Sequence, residues 1–352
     1  MNHPLVPVFW PTQHEHHAPE AEYDNGLLVA YADVPARVDH VKTALAALPF
    51  VRLAACAEGC SPAELAQVHA PELLNYVQET SEKARGNGQA YVYPSVFPGY
   101  FAHSPGMNAK KLMGGMYAFD VHAPIGGGTE TAVLHSAASA IKAAQTILDG
   151  KTRLVYALCR PPGHHAGRRF TGGYCYLNNA ALAANRLKAW GHGAILDIDY
   201  HHGNGTQDIV WDDPGVFFAS LHADPAYEYP YYTGYADETG GLHAPGTTAN
   251  YPLPQGTDDR LYLDTLQRAL SAIASFKPNW LVVSLGFDTF SGDLLSTFTL
   301  TLNAYVEMGR LIAELNLPTV LVQEGGYNVV MLGTLAQTFL AGMTGIQESG
   351  EL

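Results

Sequence analysis

Short runs of β-branched and aliphatic residues alternate along the chain with longer segments of helical patterning, and this alternation most constrains the fold. The short runs predict strands at 154–158, 194–198, 216–219, 281–285 and 319–322. These runs are too short for stable helices and are rich in residues that favour strands. Because strands that alternate with helices form a largely parallel sheet with helices on both faces, the pattern predicts an α/β fold.

The helical segments lie between and before these strands. A capping box opens the first predicted helix, since Ser61 and Glu64 are spaced to exchange hydrogen bonds and Pro62 takes the first helical position. This helix is expected to run toward Arg85. Further helices are predicted at 129–148, 178–190, 258–276, 302–316 and 331–342.

The whole chain, 1–352, is predicted to form one domain. Single α/β domains often exceed 250 residues, and neither a repeat nor a linker interrupts the pattern. The stretch 85–124 is rich in Gly, Pro and Tyr and has little periodicity, so we predict an insertion that runs over the surface.

Composition narrows the class of protein. Hydrophobic residues make up 47% and charged residues 15%, which is typical of a globular protein and excludes a disordered or coiled-coil chain. The net charge of −14 argues against nucleic acid or an anionic membrane as the main partner and suits a cationic one. Four unpaired cysteines, no signal-peptide pattern and no apolar run of ~18 residues predict a cytoplasmic protein.

Polar residues follow every predicted strand. Ligands bind at the carboxyl ends of the strands in open α/β sheets, so these residues are expected to meet at one edge. They are His164, His165, Asp197, Asp199, His201, Ser220, Asp288 and Tyr327.

Asp197, Asp199 and His201 are spaced to share one side of an extended segment. Two carboxylates and an imidazole at the end of an apolar strand need a partner, and a cation provides one. This donor set suits Zn²⁺, Mn²⁺ or Fe²⁺, and Asp288 is a plausible third ligand that would leave a catalytic position open. The alternative is a hydrogen-bonded Asp/His network without a metal.

Other histidines allow more than one interpretation. His164 and His165 follow Pro-Pro-Gly and are suited to removing a proton from metal-bound water, although two ligands or two solvent-facing residues fit the local sequence as well. His14, His16 and His17 cluster near the start, where an exposed loop is favoured over a second metal site.

Taken together, these motifs resemble the zinc-dependent histone deacetylase superfamily, and more closely its bacterial acetylpolyamine amidohydrolase branch. The resemblance covers nearly the whole chain and implies the single-domain arginase–deacetylase fold. The motifs that carry it are RPPGHHA (160–166), GGYCYLNNAA (172–181), LDIDYHHGNGTQD (196–208), SLH (220–222), NYPLPQGT (250–257), SLGFDTFSGD (284–293) and EGGY (324–327).

The resemblance implies a role for each site residue. Zinc would be held by Asp199, His201 and Asp288. The catalytic set would be His165 as general base, His164 as its electrostatic partner, Asp197 and Asn204 as their hydrogen-bond partners, and Tyr327 as the residue that polarises the amide carbonyl. A potassium ion (K⁺) would be held by Asp197, Asp199, Ser220 and the backbone of His201 and Leu221. The substrate channel would be lined by Gly173, Tyr174, Phe287 and Leu295, with Arg37 near the floor of the site.

The implied reaction is zinc-dependent deacetylation of acetylated polyamines or related primary amines, with acetyl-lysine in proteins or peptides as the alternative. Fe²⁺ would fit the same ligands. The 85–124 stretch resembles the insertion that builds a dimer and narrows the entrance in that branch, so a homodimer is expected. Leu295 takes the place of a gatekeeper glutamate in a polyamine-selective relative, so any acidic selectivity must come from elsewhere, and Glu15, Glu20, Glu22 and Asp120 are candidates.

Two other classes remain open at this stage. A manganese ureohydrolase shares the fold, but its two-metal site needs further Asp and His ligands in place of the paired histidines and Tyr327. A non-catalytic binding protein would have no need of the whole set of chemical residues.

Overall fold

Eight parallel strands form the central sheet of the computed structural model, which describes residues 5–97 and 114–346. The strands in chain order are β1 (Val6–Pro11), β2 (Ala21–Asp24), β3 (Leu27–Ala30), β4 (Val51–Cys56), β5 (Tyr91–Val92), β6 (Ile125–Gly126), β7 (Leu154–Ala157), β8 (Gly193–Asp197), β9 (Val216–Ala223), β10 (Thr248–Leu253), β11 (Leu281–Leu285) and β12 (Thr319–Gln323). The sheet order is β10-β9-β8-β11-β12-β7-β1-β4, and the pairs β2–β3 and β5–β6 are separate antiparallel ribbons. The predicted parallel sheet is therefore confirmed.

All five predicted strands are present, and β11 has the predicted bounds. Strand β9 continues four residues further than predicted, to Ala223. The prediction missed β1, β4 and β10 because their sequences contain proline, arginine or asparagine. Strands β4 and β10 lie at the two edges of the sheet, where one side of the strand need not be apolar.

The helices are α1 (Ala36–Ala46), α2 (Pro62–Leu65), α3 (Pro71–Gly86), α4 (Thr129–Leu148), α5 (Asn179–Leu187), α6 (Asn204–Val210), α7 (Asp259–Phe276), α8 (Leu302–Ala313) and α9 (Val329–Thr344). The capping box at Ser61 is present, with its hydroxyl accepting from the Glu64 amide. The single helix expected from there to Arg85 is instead two, separated by residues 66–70, and Pro71 opens the second at a position where no amide hydrogen is needed. Helices α1 and α6 were not predicted.

Helices cover both faces of the sheet, as predicted. One core packs α1, α7, α8 and α9 against alternate strand residues such as Leu196, and the other packs α4 and α5 against their neighbours, such as Ile195. Within the described ranges, no helix combines the length and apolarity needed to cross a bilayer.

The predicted insertion 85–124 lies partly outside the described residues, which omit 98–113. Strand β5, in the first described part of this stretch, pairs with β6 just after the stretch ends, and the segment from 114 onward reaches the main body, where Ala118 bridges Thr171. Its role in an interface or at the channel entrance stays a prediction.

Candidate active site

The polar residues after the strands converge at one edge of the sheet because the strands run parallel. Strand β8 lies between β9 and β11, and the register places Asp197 beside both Ser220 and Ser284. The segment that follows β8 carries Asp199 and His201, and the segment that follows β11 carries Asp288. Sheet topology therefore brings together ligands that are 87 residues apart in sequence.

Asp199, His201 and Asp288 form a buried cluster whose ligand atoms all lie within 4.8 Å of one another. The His201 Nδ1 atom lies 3.2 Å from Asp288 Oδ2 and 3.4 Å from Asp199 Oδ1. Ligands about 2.0–2.1 Å from a tetrahedral zinc ion are about 3.3 Å from one another. The cluster has the donor atoms and the spacing of a three-ligand zinc site.

Backbone amides orient the two carboxylates of this cluster. Asp199 accepts from the amides of His201 and Gly325 at 2.9 and 2.7 Å, and Asp288 accepts from the Tyr200 amide at 2.9 Å. Burial and the facing Asp199 carboxylate raise the pKa of Asp288 to about 7. A bound cation would relieve this repulsion, so the site is built for positive charge.

His164 and His165 lie side by side, with ring centroids 4.0 Å apart. His164 donates from Nδ1 to Asp197 Oδ2 at 3.1 Å, and His165 donates from Nδ1 to Asn204 Oδ1 at 2.6 Å. Each ring is thereby fixed with its Nε2 available to the site.

The two imidazoles have opposite electrostatic surroundings. Burial opposes the charge on His164, but Asp199 and Asp197 outweigh it and raise the pKa to about 10. Burial and the neighbouring His164 hold the pKa of His165 well below its usual range. Since Asn204 is neutral, His165 stays unprotonated and can accept a proton while His164 stays charged. Acid–base catalysis needs such a pair of groups with separated pKa values.

Glu324 supports this histidine pair, a role that the sequence analysis did not assign. Its buried Oε2 accepts from the amides of Gly163 and His164 at 2.7 and 3.1 Å. It therefore ties the segment after β12 to the segment after β7. Burial raises the pKa of Glu324 to about 7.

Contacts to both the backbone amide and the phenol ring position Tyr327. Asp293 Oδ2 accepts from the Tyr327 amide at 2.6 Å, and the Arg37 guanidinium lies 5.0 Å from the centre of the phenol ring. Arg37 also donates to the carbonyls of Gly326 and Glu324 at 2.7 and 2.6 Å. The arginine expected at the floor of the site thus fixes the segment that carries Tyr327.

Three of the four residues predicted to line the channel lie beside the catalytic residues, and the fourth is buried in the core. Gly173 lies against His165, and a Cβ atom there would stand 2.4 Å from the imidazole Cδ2, so only glycine fits. Tyr174 packs with Leu295 and Tyr327 in one cluster. Phe287 is fully buried in the main core, so its side chain does not line an open channel as expected.

Two of the four carboxylates proposed for acidic selectivity reach the wall of this site. Glu22 is buried and accepts from the Tyr174 hydroxyl at 3.0 Å. Asp120 Oδ2 accepts from the Tyr229 hydroxyl at 2.6 Å and from the Gly173 amide at 2.9 Å. Tyr229, whose ring contacts His165 edge-on at 5.0 Å, was missed because nothing in its local sequence distinguishes it from a surface tyrosine.

Glu15 and Glu20 are exposed, and no contact links either of them to this wall in the described part of the chain. The wall contains instead a histidine that pairs with Glu22. The His122 imidazole lies 3.0 Å from the Glu22 carboxylate, and a histidine in the weakly patterned stretch carried no signal that could have predicted this contact.

The residues predicted for potassium adjoin the Asp199–His201–Asp288 cluster, and two of them, Asp199 and His201, belong to it. Ser220 Oγ is 2.8 Å from His222 Nδ1, and His222 Nε2 donates to the Gly234 carbonyl at 2.8 Å. Because that donation fixes the tautomer, the serine hydroxyl must donate to Nδ1, which leaves its oxygen lone pairs for a cation. Leu221 and the carboxylates of Asp197 and Asp199 are fully buried beside it.

The expectation of an exposed loop for the N-terminal histidines is wrong for two of them. His14 and His17 are buried, at 1% and 0% exposure, whereas His16 is exposed. His17 Nδ1 bonds to the Thr129 hydroxyl at 2.9 Å, and its ring packs edge-on against Tyr176. Tertiary packing against α4 buries a segment whose local sequence is polar.

Comparison with known proteins identifies the class that this fold and site define. The model of the histone deacetylase domain matches residues 31–343. The chain therefore belongs to the histone deacetylase family, as the motifs predicted.

Individual relatives narrow this assignment. Acetylpolyamine amidohydrolase 1 of Pseudomonas aeruginosa is 40% identical over 342 residues, covering 94% of this chain and 97% of that protein. The acetylpolyamine amidohydrolase of Mycoplana ramosa is 48% identical over 233 residues, covering 66% and 68%. The crystal structure of the Burkholderia pseudomallei acetylpolyamine aminohydrolase matches with a TM-score of 0.89 at 33% identity, covering 96% and 98%. These relatives confirm the predicted bacterial acetylpolyamine amidohydrolase-like branch. Their names are also consistent with the prediction that this chain is an enzyme that hydrolyses amide bonds.

Proposed function

We propose that the protein is a zinc-dependent deacetylase that releases acetate from acetylated polyamines or related acetylated amines. The observation that carries the proposal is the buried Asp199–His201–Asp288 cluster beside the His164–His165 pair, with one orienting residue on each imidazole. A ureohydrolase would need further metal ligands where this chain has the histidine pair and Tyr327.

Asp199, His201 and Asp288 would hold the metal, which when bound polarises the amide carbonyl and lowers the pKa of a coordinated water. His165 takes the proton from the attacking water at Nε2, since its Nδ1 is committed to Asn204. Tyr327 donates its phenol hydrogen toward the developing oxyanion. A protonated histidine of the pair returns a proton to the leaving amine, and the products are acetate and a free amine.

Potassium and the identity of the catalytic metal belong to the same proposal. The acceptor geometry of Ser220 and the buried Asp197 carboxylate support a monovalent cation behind the catalytic site. Fe²⁺ would fit the His and Asp donors as well as Zn²⁺ does. Metal analysis of protein purified without added zinc tests which ion is present.

Three observations favour a cationic acetylated amine over an acyl-lysine peptide. The relatives described above carry the name acetylpolyamine amidohydrolase or aminohydrolase. The net charge of −14 favours accumulation of cations near the protein. Glu22 and Asp120 place carboxylates at the wall beside Tyr174 and Gly173, where they add negative potential, although Glu22 shares its charge with His122.

The substrate is tested by measuring kcat/KM for acetylputrescine, acetylspermidine and an acetyl-lysine peptide under one set of conditions. We expect the two amines to be preferred, and a hundredfold preference for the peptide would overturn the proposal.

A matched pair of variants tests the role of charge. Glu22→Gln should lower kcat/KM for acetylputrescine by about ten- to a hundredfold, which is the value of one charge-assisted contact. Its effect on N-butylacetamide, which lacks the ammonium group, should be much smaller. Glu20→Gln, at an exposed position, is the control. Equal losses for the charged and neutral amides would show that Glu22 acts only by holding Tyr174.

A homodimer and a cytoplasmic location remain predictions of the same proposal. Exposed apolar side chains on β3, Leu27 and Leu28 at 68% and 64% exposure, support an interface near the 85–124 stretch. Light scattering after gel filtration should show a dimer, and Leu28→Glu should weaken it. The four cysteines are free thiols, as expected in a reducing compartment.

A further inference from the structure

The N-terminal histidine cluster contains a buried imidazole that the catalytic site does not use. His14 is 1% exposed, and its Nδ1 atom is buried with no hydrogen-bond partner in the described part of the chain. Its backbone is fixed, since the His14 carbonyl accepts from Arg160 at 2.8 Å. An unsatisfied buried nitrogen costs free energy and calls for a partner.

Two carboxylates stand next to this imidazole. Glu15 follows His14 directly, and Asp39 reaches the same point from α1. One ligand atom from each of His14, Glu15 and Asp39 lies within 4.8 Å of the other two. The cluster lies outside the catalytic site, and none of its members takes part in the proposed reaction.

We propose that His14, Glu15 and Asp39 form a second divalent-metal site, which takes Zn²⁺ or a similar transition-metal ion and completes its coordination with water. One imidazole and two carboxylates are a donor set for Zn²⁺, Mn²⁺, Co²⁺ or Ni²⁺ rather than Ca²⁺ or Mg²⁺. The exposed Glu15 and half-exposed Asp39 leave room for water and for exchange of the ion with solvent.

Nearby cations set how tightly the ion binds. Lys42 Nζ lies 2.9 Å from Asp39 Oδ1 and competes for that carboxylate, while its position over the Trp10 ring allows it to withdraw without losing all its contacts. The buried Asp33 carboxylate, 3.3 Å from Arg160, also pairs with Arg37, so it offsets only part of the Arg160 charge and leaves some repulsion for a bound ion. The site is therefore expected to bind more weakly than the catalytic one.

A metal here would link two parts of the chain that support the active site. Helix α1 carries Arg37, which packs over Tyr327, and the segment at His14 accepts from Arg160. Cross-linking them would raise thermal stability without adding a group to the catalytic centre.

The test is calorimetric titration of ZnCl₂ into protein whose catalytic site is already loaded. We expect one further binding event per chain in the wild type, accompanied by a rise in the melting temperature. His14→Ala should weaken that event by about tenfold or more, as expected for loss of a ligand, and the exposed neighbour His16→Ala should leave it unchanged.

Two further variants keep the test decisive if the buried His14 substitution impairs folding. Asp39→Asn, on the exposed side of α1, should also weaken binding, and Lys42→Met should tighten it by about fivefold because it removes the competing cation. The proposal is overturned if the loaded wild type binds no further zinc. It is equally overturned if Asp39→Asn and Lys42→Met both bind zinc with the wild-type affinity.

Discussion

Glu324 offers the sharpest test of how the active-site segments are held. Its Oε2 atom is the acceptor for two buried amides, those of Gly163 and His164, while its Oε1 has no partner among the described residues. The informative perturbation is a pair of substitutions. Glu324→Gln retains an acceptor oxygen in the same place, and Glu324→Ala removes it.

The structure gives the expected size of each effect. A buried amide that loses its acceptor costs about 1–3 kcal/mol, so two such amides make Glu324→Ala destabilising by about 2–6 kcal/mol. That is a large part of the total stability of an ordinary domain. Burial raises the pKa of Glu324 to about 7, so the neutral glutamine resembles the protonated acid. Its amide nitrogen would take the unpartnered Oε1 position, so Glu324→Gln should cost about 1–3 kcal/mol, less than Glu324→Ala.

Denaturant unfolding at pH 7 measures these changes, with Glu307→Ala as the control for loss of an exposed carboxylate on α8. Turnover should follow the same order, because displacement of the His164–His165 segment by about 1 Å can lower the rate about a hundredfold. Glutamine and alanine variants of equal stability would refute the view that the two amide contacts are what Glu324 contributes.

Three further predictions address the site and the fold. Tyr327→Phe should lower kcat by about 10²–10³, the value of one oxyanion donor, while metal content stays constant; an unchanged rate would exclude the phenol from catalysis. His201→Ala should lose the catalytic metal, and metal analysis that finds full occupancy would contradict its role as a ligand. Burial lowers the pKa of His69 from about 6.5 to about 4, so its contribution to stability is complete above pH 6.5 and falls by about 3 kcal/mol as the pH drops to 4. His69→Gln should flatten this decline in unfolding experiments across that range, because glutamine can accept from Asn178 and donate to Gly167 without titrating.

The sequence predicted the parts of the fold that follow from local pattern. Strand β11 is short, aliphatic and fully buried, and its bounds were correct. Strand β4 contains Arg52 and lies at an edge of the sheet, where solvent accepts polar side chains, so its pattern carried no strand signal. The break before Pro71 was predictable in principle, since a proline interrupts the amide ladder that a single helix would need.

Among the site residues, too, those that follow from local sequence pattern were predicted, and those that depend on the tertiary fold were not. Asp199 and His201 could be predicted because they follow one strand at a spacing that places them on one side. Glu22 and Asp120 reach the wall from segments with no regular pattern, and only the folded chain shows which acidic residues do so. Phe287 was misplaced because its neighbour Asp288 belongs to the ligand cluster, whereas in the turn after β11 the phenylalanine packs into the main core.

The buried charges support the proposal that the catalytic edge of the sheet holds more than one cation. Four carboxylates there are fully buried: Asp197, Asp199, Asp288 and Glu324. Uncompensated charges in such a place cost several kcal/mol each. With the proposed metal on His201, the cationic side chain that pairs with these carboxylates in the described part of the chain is His164, which Asp197 and Asp199 keep protonated. A divalent ion and a protonated His164 balance three of the four charges, which leaves one for a monovalent cation beside Asp197 and Ser220 or for a proton on Glu324. We therefore expect removal of the proposed potassium ion to favour protonation of Glu324, and we expect the stability of the wild type to depend on potassium concentration more strongly than that of Glu324→Gln.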